Sequence, residues 1–359
     1  MLKHKTFASL SRPYASLSLL VVLAAALALA ACGSSSSTSS SATSGSTSPG
    51  TTITLYNGQH EQTTAKLVAG FEKQTGIKVK VRSDDEDVLG NQIIQEGSSS
   101  PADVFYTENT PVLEDLQEKG LLSPISASTL AAVPSKYSSP QGDWVGVSAR
   151  VSVLVYNTSQ IKASELPSSI LELAQPKWKG KVGFAPSETD FQPLVTAITK
   201  LDGVAAAEKW LKGLQANAKV YPDNETVVAQ VNNGESTVGI INHYYWYRLR
   251  DEVGQSHVHS ALHYYAPHDP GYLLNVSGAA VLKSSKQQAA AQKFVAFLVG
   301  KAGQEILAHS HSYEYPIGSG VLTAQPLKPF DQLQLAPVTI GDLGNGHAPL
   351  ELEQKLGLL

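Results

Sequence analysis

Val238-Gly239-Ile240-Ile241-Asn242-His243-Tyr244-Tyr245-Trp246-Tyr247-Arg248-Leu249-Arg250 begins as an apolar run and ends as an aromatic one. The apolar run reads as a buried strand, and the aromatics stand at its exit, where open α/β sheets place ligands. In a continuing strand Tyr244 and Tyr245 would point to opposite faces. If the chain turns into a helix there, neighbouring side chains diverge by only about 100° and both phenol oxygens converge on one point. Aromatic packing also accounts for a Tyr-rich hexapeptide taken alone. The rest of the chain decides between the two.

Outward from this stretch, strands and helices alternate. Residues 52–56 read as a strand ended by Asn57-Gly58. A helix follows, with Leu67, Val68 and Phe71 on one face and Gly76 just past its end. Residues 77–81 form the next strand, so His60 sits at the tip of the first. A helix over 86–96 leads to a strand over 102–106, and Glu108 stands at that strand's exit. If the two strands are parallel neighbours, His60 and Glu108 share one rim. Further on, strands are expected over 151–157, 182–185 and 277–282, with helices over 191–201, 225–232, 287–299 and 302–308. Ser187 and Asp190 have the spacing of a capping box at the start of the helix over 191–201. Strand–helix repetition without meanders points to parallel sheets. The pattern predicts an α/β protein of two lobes joined by two extended crossings, near 151–157 and 275–281.

The chain has 359 residues, enough for two domains, and a formal net charge of -4, which argues against nucleic-acid binding. Its first 31 residues carry Lys3, Lys5 and Arg12, no acid, and an apolar Ala/Leu-rich core: the layout of a signal peptide. Leu29-Ala30-Ala31-Cys32-Gly33 resembles a bacterial lipoprotein signal, which makes Cys32 the expected lipid-bearing first residue of the mature chain. Cys32 is also the single cysteine, so disulfides and thiolate metal sites are excluded from the body. Residues 32–51, nearly all Ser, Thr and Gly after the cysteine, read as a flexible tether to the membrane. Without the three leader cations the mature protein is more acidic, leaving acyl chains rather than a basic patch to hold it at the membrane.

The body resembles the iron(III)-binding substrate-binding proteins of ABC transporters, known as ferric-binding proteins. The resemblance is carried by Tyr56-Asn57-Gly58-Gln59-His60, by Pro101-Ala102-Asp103-Val104-Phe105-Tyr106-Thr107-Glu108, by Pro176-Lys177-Trp178-Lys179-Gly180-Lys181, by Trp210-Leu211-Lys212-Gly213-Leu214, by Tyr244-Tyr245-Trp246-Tyr247, and by Asp269-Pro270-Gly271 with Ser277-Gly278-Ala279-Ala280-Val281-Leu282. It implies the two-lobed, type II periplasmic-binding-protein fold, each lobe a mostly parallel sheet flanked by helices. The expected N-lobe is 52–152 with 277–325, and the C-lobe 153–276 with 326–359. It further implies a monomeric, lipid-anchored extracytoplasmic receptor that hands ferric iron to an ABC permease. The ligands it implies are His60, Glu108, Tyr244 and Tyr245. The hardness of Fe(III), which favours oxygen donors, agrees. A small anion such as phosphate or carbonate is implied beside the metal, near Asn109, Arg150, Ser187, Thr189, Asn224 and Asn242. Here Ser187-Glu188-Thr189-Asp190 replaces the family's small-residue loop, and its carboxylates would oppose an anion.

Other signals are weaker. His243 is expected to pack or face solvent rather than ligate. His257-Val258-His259 reads as a half-buried strand with both imidazoles in water, and Trp178 among lysines as a turn. No nucleophile elbow or phosphate loop is present, so an enzyme is not expected. An organic cation or anion such as a polyamine, thiamine or phosphonate is the alternative cargo on the same fold.

Overall fold

The computed structural model describes residues 50–359; the leader and Cys32 lie outside the described residues. The chain opens with β1 (Thr52–Gly58), α1 (Glu61–Thr75), β2 (Lys78–Ser83), α2 (Glu86–Glu96), β3 (Val104–Thr107), α3 (Pro111–Glu118), β4 (Leu122–Ser123) and α4 (Ala127–Leu130). The long strand β5 (Trp144–Asn157) follows, then β6 (Val182–Phe184), α5 (Gln192–Asp202), α6 (Val204–Asn217), β7 (Lys219–Val220), α7 (Asn224–Asn232), β8 (Val238–Asn242) and α8 (His243–Val253). Last come β9 (Ser260–His263), β10 (Leu274–Leu282), α9 (Gln288–Val299), α10 (Lys301–Ala308), β11 (Tyr315–Pro316) and α11 (His347–Lys355).

Two parallel sets form the flanks of one sheet, whose main path runs β2-β1-β3-β10-β5-β8-β6-β7. β1 pairs in parallel with β2 and β3, and β6 with β7 and β8. The crossings run antiparallel to each other and each to the set it pairs with, β10 to β3 and β5 to β8, a feature the strand–helix repetition does not reveal. Along β5 the partners change: residues 144–151 pair with β10 and β11, and residues 152–157 with β8 and β9. β5 is therefore the strand on which the two halves meet, and nearly every residue in it is buried. Its pairing with β10 shifts register between Ser277 and Gly278, which turns the Ser277 hydroxyl into the seam between the halves.

The helices sit where apolar periodicity places them. α1 buries Leu67 and Phe71 and ends at Gly76 with φ 73°, whose N–H closes on the Glu72 carbonyl. α5 departs from expectation. It starts at Gln192, one residue from the expected 191, but the expected cap does not form: its N-cap is Phe191, and neither Ser187 nor Asp190 caps it. Pro193 in its first turn fixes that start, since proline fits where no N–H donor is needed. Residues 257–259 are not a strand: His257 ends a 3₁₀ turn and β9 begins at Ser260, although both imidazoles are exposed as expected. Trp178 is buried in a 3₁₀ turn, with Lys177 Nζ 5.9 Å from its ring centre.

Candidate functional site

The chain does turn into a helix at the exit of β8. Asn242 keeps extended backbone and α8 starts at His243, so Tyr244 and Tyr245 occupy consecutive positions of the first turn. Their rings lie 4.1 Å apart at 33°, and both are buried. Both hydroxyls approach one atom: Asp190 Oδ2 is 3.4 Å from Tyr244 Oη and 3.3 Å from Tyr245 Oη.

From the other half, β1 ends in a turn where Asn57 Nδ2 donates to the Gln59 carbonyl over 2.6 Å and Thr64 donates to Asn57 over 2.8 Å. That turn sets His60 at the head of α1. His60 Nδ1 lies 2.8 Å from Glu108 Oε1, while His60 Nε2 is buried without a hydrogen-bond partner among the described residues. Glu108 follows β3 directly, and its second oxygen, Oε2, lies 3.4 Å from the Tyr244 hydroxyl. His60 and Tyr244 meet edge to face at 5.0 Å. The structure thus brings together all four residues expected to hold metal. It adds a fifth group, the carboxylate of Asp190, which the sequence reading assigned to helix capping.

Two of the groups expected to hold a small anion, Arg150 and Asn109, hold that acid instead. Arg150 donates to Asp190 Oδ1 through Nη2 at 2.8 Å and Nε at 3.3 Å, and Asn109 Nδ2 reaches the same oxygen at 3.3 Å. Asn109 also donates to Thr189 Oγ1 over 3.2 Å. Asn224 and Asn242 line a void of only about 10 Å³ behind Asp190, room for at most one water. Ser187 is exposed and donates to the Pro222 carbonyl at 3.3 Å, away from the cluster. A carboxylate of the chain thus occupies the donors of Arg150 and Asn109, because the segment before α5 does not form the capping turn that its Ser187/Asp190 spacing suggests. His243 is no ligand. It is fully buried, accepts from the Val151 N–H at 3.2 Å, donates to the Tyr313 carbonyl at 2.8 Å, and burial pushes it down to about 4.

Charge explains the protonation of this cluster. Burial pushes both phenols well above their ordinary value, and the charges of Asp190 and Glu108 push them further. Burial also opposes the charge of Glu108, but the imidazole of His60 and then Arg150 hold its carboxyl down to about 2. Arg150 is wholly buried. Desolvation works against its charge, yet Asp190 and Glu108 hold its pKa well above the ordinary value. Arg150 also donates to the Glu108 backbone carbonyl, so one guanidinium grips acids from both halves of the sheet. Outside the cluster lies a cleft of about 1190 Å³ lined by His60, Glu108, Thr189, Tyr245 and Arg248 among others. The groups gathered beside that cleft offer one imidazole nitrogen and four oxygens, while no three His, Asp or Glu side chains among the described residues are already spaced to hold a metal ion. Such a set suits a hard, highly charged cation.

Two α/β halves meeting on shared strands, with polar groups converging at the seam, define a solute-binding protein of the two-lobed type. Residues 99–342 match the family described as bacterial extracellular solute-binding protein, and the chain belongs to that family, whose members carry solutes rather than transform them. Among its relatives are the Fe(3+)-binding periplasmic protein of Serratia marcescens, 41% identical over 86% of this chain and 90% of that one. The major ferric iron-binding protein of Neisseria meningitidis serogroup A is 43% identical over 84% of this chain and 92% of its own. The structure of iron-bound HitA from Pseudomonas aeruginosa superposes with a TM-score of 0.82 at 44% identity, covering 86% of this chain and 99% of that one. These similarities agree with the ferric-binding resemblance and the type II fold read from the sequence.

Proposed function

We propose that this protein captures ferric iron between its lobes, using His60, Glu108, Tyr244, Tyr245 and Asp190, and delivers it to an ABC-type permease. The observation that carries the reading is the convergence of two adjacent phenol hydroxyls on the Asp190 carboxylate, beside the Glu108 carboxylate and an unpartnered His60 nitrogen. The iron-bound relative and the relatives named for ferric iron support the choice of cargo. Binding deprotonates both phenols, because a coordinated trivalent cation outweighs the burial that holds their protons. Two phenolates and two carboxylates then carry one more negative charge than Fe(III) neutralises, and the Arg150 guanidinium compensates it. Asp190 takes the place of the phosphate or carbonate that the resemblance implies.

Metal contacts from both sides link the lobes and favour the closed arrangement, which the permease reads. The lobe boundaries proposed are 52–152 with 277–325 and 153–276 with 326–359; the change of partner along β5 after residue 151 supports the first of them. Anchoring through an acylated Cys32, outside the cytoplasm, belongs to the same proposal and is supported by the leader sequence. Iron content per chain after dialysis against ferric iron in phosphate- and carbonate-free buffer tests the reading. One iron per chain is expected; none would contradict it.

A further inference from the structure

Below the iron cluster lies a second acid that the cluster itself does not use. Glu314 is 1% exposed, with its side chain wholly enclosed, at the point where β5, β10 and the entrance to α1 meet β11. Among the described residues, the groups that hydrogen-bond or pair with its carboxylate are all donors. Ser148 donates to Oε2 at 2.9 Å, Ser277 to Oε1 at 3.1 Å, and Gln59 Nε2 lies 3.3–3.4 Å from both oxygens. Arg150 Nη1 stands 3.7 Å from Oε1. The carboxylate is aimed there by its neighbour: Tyr313 has φ 57°, a left-handed conformation uncommon for a bulky side chain, and its carbonyl is held by His243.

Two routes lead from Glu314 to the proposed ligands. One runs through Arg150, which divides its charge between Glu314 on one side and Asp190 and Glu108 on the other. The second runs through Gln59, whose Oε1 accepts the His60 backbone N–H at 2.7 Å and whose Nε2 reaches Ser277 at 2.7 Å as well as Glu314. A buried acid is costly to retain without a task, since apolar replacements of buried ion pairs are often as stable.

We propose that Glu314 is a positioning residue for the iron site: its carboxylate sets how strongly Arg150 draws on the Asp190 and Glu108 carboxylates that face the tyrosines. The proposal rests on the ferric reading above. With Glu314 charged, part of the guanidinium's charge is spent away from the metal ligands, and both carboxylates remain strong donors. Without that charge, Arg150 draws harder on Asp190 and Glu108, leaving the iron more electron-poor. Partners in this outer position alter metal affinity by about 10–100-fold.

The test compares the full-length wild-type protein with Glu314→Gln, Glu314→Asp and Ser148→Ala, recording the phenolate-to-iron charge-transfer band, iron affinity against a competing chelator, and the melting temperature of the metal-free protein. Glu314→Gln is expected to bind iron about 10–100-fold more weakly, with the band at longer wavelength and melting little changed. Glu314→Asp, which keeps the charge, is expected to restore the band towards wild type. Ser148→Ala removes one donor from Glu314, draws Arg150 towards it, and is expected to move the band the other way; it serves alone if the Gln variant fails to fold. Wild-type bands and affinities in the folded variants would overturn the proposal. No colour in the wild-type protein would remove the ferric reading, and this inference with it.

Discussion

Arg150 and Asp190 form a buried pair, Nη2 to Oδ1 at 2.8 Å, which leaves the second Asp190 oxygen facing the hydroxyls of Tyr244 and Tyr245. One carboxylate oxygen is thus committed to the hinge strand and the other to the site. In the proposed ferric site, this division would let the protein supply from its own chain the negative charge that a bound anion would otherwise bring.

Iron binding by the wild-type protein is accordingly expected to be independent of phosphate and carbonate. Asp190→Ala removes the side chain that fills the space before Asn109 and Arg150, leaving the guanidinium short of its closest acid. In that variant, iron affinity is expected to fall by about tenfold or more and to recover with added phosphate. Chelator competition with and without phosphate measures both effects; an anion requirement in the wild type would contradict the assignment of Asp190.

Protons compete with iron at this site. Burial and then the neighbouring acids hold both phenols in the protonated form well above their ordinary range, so in the proposed site each would lose a proton when iron binds. The two protons make apparent iron affinity fall by about a hundredfold for each unit of acidification near neutrality. Affinity measured across pH 6 to 8 should show that slope. A flat profile would mean that the phenols do not become ligands.

Much of this site is readable from residue order, and the parts that are not share a cause. A buried run leading straight into two tyrosines fixes their place at a strand exit. His60 and Glu108 follow strands whose ends are marked by Asn57-Gly58 and by Thr107. Asp190 escapes because Ser187 and Asp190 fit a capping pattern; the contrary signal is Pro193, which belongs in the first turn and leaves the Ser187–Asp190 segment outside the helix. Glu314 has no local signal at all. Its partners come from Gln59, Ser148, Arg150 and Ser277, far apart in sequence, and only the assembled hinge brings them together. The parallel flanks follow from strand–helix alternation, whereas the antiparallel crossings depend on which strands the chain revisits, which spacing does not encode.

Gly58 is a position where close approach decides the residue. A Cβ there would stand 2.6 Å from Glu86 Cβ and 2.8 Å from its Cα. Glu86 in turn accepts from the Asn109 backbone at 2.7 Å and its side chain at 2.7 Å, so a shift there reaches the loop that carries Glu108. Gly58→Ala is expected to destabilise the protein by about 1–3 kcal/mol and to weaken iron binding. Denaturant unfolding of the metal-free protein measures the first effect; an unchanged midpoint would show that the backbone yields without strain.

Glu353 gives a pH dependence of known sign. It is buried against α5 with Oε1 unpartnered, and Gln192 lies 3.5 Å from its other oxygen; burial pushes its carboxyl up to about 8. The unfolded chain releases this proton near 4.5, whereas the folded chain keeps it, so this group's contribution to stability is lost as pH rises from 4.5 towards 8. Glu353→Gln does not titrate. Relative to wild type it is expected to gain on the order of 1–3 kcal/mol between pH 5 and pH 8. Melting curves of both proteins at the two pH values give the difference; a gap that stays constant would show that Glu353 is ionised when folded.

The central claim is that two neighbouring phenols, an imidazole and two acids form one ferric site. Visible absorption of the purified protein titrated with ferric iron at neutral pH tests it most directly. A phenolate-to-iron charge-transfer band that saturates at one iron per chain, and disappears when Tyr244→Phe and Tyr245→Phe are combined, is the predicted result. A colourless wild-type protein, or a band that survives the double substitution, would contradict the account.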